Sequence, residues 1–187
     1  QAGDVSGGLV TADDLNVSAS GAIDLSTAVA SVTALSGTSI DIDESDAVTL
    51  TSVRSGNGAI DVEAGGSITA ESVVSVTDSD TNDISLTSTG GGISIGTEVR
   101  ATGAGDVILD AQAGDVSGGL VTADDLNVSA SGAIDLSTAV ASVTALSGTS
   151  IDLVESDAVT LISVRSGNGA IDVEAGGSIT AESVVSV

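Results

Sequence analysis

The chain has 187 residues, 27 acidic against three basic side chains, and no Cys, His, Pro, Met, Phe, Trp or Tyr. A formal net charge of −24 leaves no basic surface for phosphate, which excludes nucleic acid and anionic membrane surfaces as partners. Without His, Cys, Lys or Tyr, most acid–base and nucleophilic schemes are closed, so an enzyme is not expected.

The hydrophobic 41% is almost all Ala, Val, Ile and Leu, and the aromatic content is zero. A thick globular core normally uses aromatic bulk, whereas a thin core of small branched side chains does not. Val, Ile and Thr favour strands, and 24 Gly suit frequent turns. The stretch 1–14 reads as the end of a preceding repeat, since the chain begins in mid-pattern. Residues 1–76 recur as 112–187, offset by 111, with three differences: Ile42 becomes Leu153, Asp43 becomes Val154 and Thr51 becomes Ile162. Residues 15–125 are then one full repeat, and 126–187 a partial second one.

A finer period runs inside the repeat. Apolar-x-apolar triplets open at Leu15, Ile40, Ile60, Ile84 and Val107, and again at Leu126, Ile151 and Ile171. A second triplet follows eight or nine residues after most of these, at Ile23, Val48, Ile68 and Ile93. A third apolar stretch lies near Val29–Val32, Val53, Val73–Val76, Val99 and Leu120, and Gly-, Ser- and Asn-rich strings separate the segments. Period-two alternation bounded by such strings predicts short strands. The expected fold is an all-β, right-handed parallel β-helix with about 22 residues and three short strands per coil, five coils to the repeat. Leu15, Ile40, Ile60, Ile84, Val107, Leu126, Ile151 and Ile171 are expected in one internal column. Leu15, Val17 and Ala19 should point inward, and Asn16 and Ser18 outward. A lone coil buries too little to offset its ordering entropy, so stacking must stabilise it.

The strings GAIDLSTAVASVTALSG, GNGAIDVEAGGSITAESVVSV and GGGISIGTEV resemble filamentous-haemagglutinin-type bacterial adhesins, and the resemblance covers essentially the whole chain. It implies a β-helical shaft of an extracellular fibre or surface adhesin. It also implies that contacts with host or cell-surface glycans or proteins belong to other domains. Self-association, end to end through open strand edges or laterally, is expected. Three alternatives fit parts of the pattern: a Ca2+-dependent giant adhesin of serial Ig-like domains, a polysaccharide-active β-helix and an ice-binding β-helix. The polysaccharide reading lacks aromatic platforms. The ice-binding reading has Thr49, Thr69, Thr160 and Thr180 at equivalent outward positions, interrupted by Asp24, Ser94 and Asp135.

Candidate metal positions follow from carboxylates stacked on successive coils. Asp41 with Asp61, and Asp152 with Asp172, should sit one strand spacing apart, in lanes that begin at Asn16 and Asn127. The loop Asp78-Ser79-Asp80-Thr81-Asn82-Asp83 has the D-x-D-x-N spacing that suits Ca2+, the one cofactor considered, although Asp83 stands where a Gly would turn the loop and Thr89 where a bidentate Glu would close it. The plain reading of both is a solvated acidic face. Arg54, Arg100 and Arg165 are expected to pair with outward carboxylates. Val154 and Ile162 are expected to form one exposed apolar spot.

Overall fold

The computed structural model describes residues 3–187. They form one continuous ladder of sixteen strands, every pairing parallel, and no helix occurs among the described residues. The expected solenoid is therefore present, and serial Ig-like domains, which need antiparallel sandwiches, are ruled out.

Each coil has two walls joined by turns. In the first half of the chain the front wall is a single five-residue strand: β3 (Ile40–Glu44), β5 (Ile60–Ala64), β7 (Ile84–Ser88) and β9 (Val107–Ala111). The back wall carries longer strands: β4 (Val48–Ser55), β6 (Ile68–Ser75) and β8 (Ile93–Ala101). These shift register in mid-strand, for instance between Ala70 and Ser72, so each is two short segments. Three strand segments per coil follow. Below them, β1 (Val5–Ala19) and β2 (Ile23–Ser36) run through both walls.

The front column is Val5, Ile23, Ile40, Ile60, Ile84, Val107, Leu126, Val143 and Leu161, each in register with the next. The back column is Leu15, Val32, Leu50, Ala70, Ile95, Gly118, Leu136, Leu153 and Val173. The single column expected from the triplets is thus corrected. Ile40, Ile60, Ile84, Val107 and Leu126 share it, but Leu15 lies in the back column, and Ile151 and Ile171 continue the back-wall stack of Ile93, Val116 and Ile134. Front-wall spacings vary from 17 to 24 residues, because a strand can be bridged by turns of different length and keep its inward register.

The physical reason for the split is the phase of the long repeat. Five turns take the chain from Val5 to Val107, and nine residues further on, Val116, the copy of Val5, lies on the back wall over Ile93. The 111-residue repeat is about five and a half turns, not five. The second copy therefore stands half a turn out of phase with the first. Its five-residue strands β12 (Ile151–Glu155) and β14 (Ile171–Ala175) occupy the back wall, and its longer β13 (Val159–Ser166) the front. The strands β10 (Val116–Ala130) and β11 (Ile134–Ser147) run through both walls and make the exchange. The chain closes with β15 (Ile179–Ala181) and β16 (Val184–Ser186) over β13.

Alternation holds along the segments between register shifts, so that Leu126, Val128 and Ala130 are buried with Asn127 exposed between them. The core is a single cluster of Ile, Leu, Val and Ala running the length of the stack. The corners are held by serine. Ser36 Oγ donates to Gly21 O at 2.6 Å and Ser39 O at 3.0 Å, and Ser55 and Ser75 both reach Gly58 O. These hydroxyls are buried and hold turn carbonyls, among them Ser39 O, which also accepts from Ile23 N. The turns lie directly on one another: a Cβ on Gly37 would stand 2.0 Å from Ser20 O, so that position admits glycine alone.

Candidate functional site on the outward lanes

Outward side chains line up in lanes one coil apart, so the surface chemistry is set by register. The front lane runs Ser6, Asp24, Asp41, Asp61, Ser85, Ile108, Asn127 and Thr144. The Asp41–Asp61 neighbourhood is as expected, but Asp24 precedes it, and Asn16 lies in the back-wall lane beside Thr33. Beside this lane run Ser26, Asp43 and Glu63. The Asp41 carboxyl is raised above its ordinary range, first by partial burial in the ladder and then by the charges of Asp61, Asp43 and Asp24.

The back lane runs Asp14, Ser31, Thr49, Thr69, Ser94, Ser117, Asp135, Asp152 and Asp172. Asp152 and Asp172 are neighbours, again with an unforeseen third carboxylate, Asp135, below them. Thr49 and Thr69 extend into a run of hydroxyls on five successive coils. Thr160 and Thr180 stack on Ser142 of the opposite wall, and Asp24 belongs to the front lane, so the threonine lane read from sequence is divided between walls.

The Asp78–Asp83 loop spends its polar groups on the coils around it. Asp78 accepts a hydrogen bond from Ala104 N at 2.9 Å, and Asp83 accepts one from Asp106 N at 3.0 Å. Asn82 is buried and donates to Thr77 O at 3.1 Å and Asn57 Oδ1 at 3.3 Å. Asp80 stands exposed at the tip. Among the described residues, no three carboxylates converge in a metal-holding group.

The loop begins a staircase that sequence reading missed. Asp106 accepts from Asp125 N at 3.1 Å, and Asp125 accepts from Ser142 Oγ at 2.6 Å. Each side chain caps the coil above. Burial raises the Asp106 carboxyl, the Asp125 N–H opposes this, and the Asp125, Asp83 and Asp124 carboxylates add to it. Also missed were two buried glutamates. Glu44 accepts from Val29 N at 2.9 Å and Asp46 N at 3.1 Å, and its copy Glu155 accepts from Val140 N at 3.0 Å and Asp157 N at 3.1 Å. The available signal was a Glu at an inward position of an alternating strand, where an unpaired charge would be costly.

Arg100 pairs with Glu98 at 3.3 Å. Among the described residues Arg54 and Arg165 have no carboxylate within 4 Å, so the expected pairing holds for one of three. Arg54 and Arg100 lie on either side of Val74, an outward residue left only 6% exposed. Such guanidinium stems can cover apolar surface while the charge stays in water. Val154 and Ile162 are both outward, as expected, but they stand on opposite walls and form no common spot.

The depressions between lanes are open and shallow. One of about 250 Å³ is lined by Asp106, Asp125, Asn127, Thr144 and Ile162. No family model matches the chain, and neither a curated protein nor a solved structure matches it.

Proposed function

We propose that the chain is the structural, non-catalytic shaft of an extracellular bacterial fibre or surface adhesin. The observation that carries the reading is the unbroken parallel ladder through all sixteen strands. A solenoid of this kind is a rigid spacer whose length is set by the number of coils. The near-identical copies, with their outward chemistry repeated rather than concentrated, suit a spacer better than a single reacting cleft. A dense acidic surface keeps such a rod soluble. Glycan or receptor contacts would then belong to other parts of a larger assembly. Calcium would act, where it acts, by bridging carboxylates of neighbouring coils.

The test is labelling of cells that make the protein, with antibody raised against the folded chain and viewed by electron microscopy. Label along thin surface filaments of intact cells is the expected result. Label seen only after permeabilisation would overturn the reading.

A second reading rests on the hydroxyl lane. Ser31, Thr49, Thr69, Ser94 and Ser117 present one hydroxyl per coil at a strand spacing of about 4.8 Å. Such a rank can order water, which favours the ice-binding alternative. Thermal hysteresis in a freezing assay would support it, and its absence would leave the shaft reading alone.

A further inference from the structure

The pentapeptide Ser-Gly-Asn-Gly-Ala occurs twice, as residues 55–59 and 166–170, and makes the same corner after β4 and after β13. Of the five asparagines in the chain, Asn57 and Asn168 alone stand before a glycine, and both are exposed. The stacking demands that glycine. A Cβ on Gly58 would stand 2.7 Å from Ser39 N, and one on Gly169 2.9 Å from Thr149 O, each in the coil beneath. The fold thus sets an Asn-Gly pair at an exposed corner in both copies. A glycine nitrogen has no side chain to shield it. Among the described residues, neither Gly58 N nor Gly169 N donates a hydrogen bond.

The two corners differ in what holds them. Asn57 N donates to Gly37 O at 3.1 Å, and Asn57 Oδ1 accepts from Asn82 Nδ2 at 3.3 Å. Asn82 is itself fixed, since it is buried and donates also to Thr77 O at 3.1 Å. Among the described residues neither bond has a counterpart at Asn168, whose main-chain nitrogen and side chain are both without a partner. Residues 52–76 and 163–187 are identical, so local sequence cannot make the two asparagines differ in reactivity. Their place in the stack can.

We propose that Asn168 is a site of spontaneous covalent rearrangement, and that Asn82 protects Asn57 from the same reaction. Gly169 N forms a bond to Asn168 Cγ and closes a five-membered succinimide. The bond from Cγ to the side-chain nitrogen breaks, and that nitrogen leaves as ammonia with the proton from Gly169 N. Water then opens the ring at either carbonyl, leaving aspartate or isoaspartate at position 168. The ring closes only when the side chain swings onto the following nitrogen, and Asn57, held at its main chain and at its side chain, resists that swing. Each conversion adds a negative charge to a chain already at −24. Isoaspartate also adds a methylene to the main chain at a corner where Gly169 O accepts from Ser166 Oγ and Ser186 Oγ, both at 2.7 Å. That corner ties β13 to β16, so the rearrangement loosens the last strand. A coil with an asparagine at the place of Asn82 would hold Asn168 as Asn57 is held, so the reaction marks an uncovered corner. The inference goes beyond a passive shaft and does not depend on where the shaft is displayed.

The test ages the whole chain at neutral pH, folded and in urea, and maps it by mass spectrometry after cleavage at its three arginines. Asn57 and Asn168 then fall in separate peptides, 55–100 and 166–187. In urea the two sites should convert at equal rates, because their sequences match. In the folded chain Asn168 should convert about tenfold or more faster than Asn57, the factor that one or two net hydrogen bonds give. Asn82→Ala, its fold verified by circular dichroism, should bring Asn57 toward the rate of Asn168. Asn168→Gln should remove conversion from 166–187 and leave 55–100 unchanged. Equal rates at the two asparagines of the folded parent chain overturn the proposal, whatever the fate of Asn82→Ala. So does an Asn168 that stays intact in the folded chain while it converts in urea. An Asn57 that stays slow in folded Asn82→Ala overturns the part given to Asn82.

Discussion

Residues 60–64 and 171–175 are the same pentapeptide, Ile-Asp-Val-Glu-Ala, in two settings. In the first copy the strand lies between β3 and β7, and Ile60 and Val62 are fully buried. In the second it has β12 on one side only, and Ile171 and Val173 are half-buried. The strand and its inward register are the same; the burial is not. Strand formation here belongs to the sequence, and core formation to the stack. The two copies also occupy opposite walls, so any contact that survives the exchange is carried by the local sequence, and any that does not is carried by position.

Truncating the two isoleucines should give the largest difference between copies. Ile60→Ala removes a side chain packed between two layers and should cost about 2–5 kcal/mol. Ile171→Ala opens a site already in contact with water and should cost about 1 kcal/mol or less. Urea unfolding followed by far-UV circular dichroism measures both. Equal losses would mean that the last coil is as well covered as the fourth, against the observed exposure.

The buried glutamates test the opposite case. Glu44 and Glu155 stand on opposite walls yet hold corresponding backbone donors at nearly the same distances. Replacing either by Ala leaves two amide groups without their charge-assisted partner and should cost about 2–3 kcal/mol. Near-equal losses are expected. A large inequality would show that the wall, not the sequence, sets the strength of the contact.

Glycine separates the copies again. Gly118 has φ +118°, and a Cβ there would stand 2.1 Å from Ile95 O in the coil beneath. Its copy, Gly7, has nothing within 4 Å of the same position. Gly118→Ala should cost about 1–3 kcal/mol through overpacking and backbone strain, and Gly7→Ala should leave the melting temperature unchanged within error. A shift for Gly7→Ala as large as for Gly118→Ala would remove the steric explanation.

Much of this was legible in the sequence, because alternation and turn strings report inside and outside residue by residue. The inward set at Leu126, Val128 and Ala130 and the neighbourhoods Asp41–Asp61 and Asp152–Asp172 follow from it directly. Phase was not legible. Ile23 and Ile40 read as a second and a first triplet, yet they pair, because a continuous 14-residue strand can pass through both walls without a turn string to mark the corner. A count of triplets cannot tell a half turn from a whole one. Glu44 and the Asp83–Asp106–Asp125 staircase were missed for a related reason: their partners are backbone amides of the next coil, invisible until the stacking is known.

The smallest expected difference concerns charge, and it turns on Asp43 against Val154. Asp41 stands between Asp24 and Asp61 with Asp43 on the same strand, and its carboxyl is raised by burial and by all three. A folded-state value above the unfolded one means that folding favours the protonated form. That stabilisation is fully present below the unfolded value and is lost as pH rises through the raised one. At neutral pH, ionised Asp41 therefore opposes folding, and Asp41→Asn should raise the melting temperature in low salt. The gain should be well under about 1 kcal/mol because the lane faces solvent, and it should fade below the raised value or in concentrated salt. Asp152 has the same vertical neighbours, Asp135 and Asp172, but Val154 removes the third carboxylate from its strand. Asp152→Asn should accordingly gain less. Ca2+ bridging along either lane would appear as stabilisation at concentrations far below those at which sodium chloride acts, and would be reduced by the same two substitutions. Thermal unfolding by circular dichroism across pH and salt reads all of this, and a gain for Asp152→Asn equal to that for Asp41→Asn would show that Asp43 adds nothing to the repulsion along the front wall.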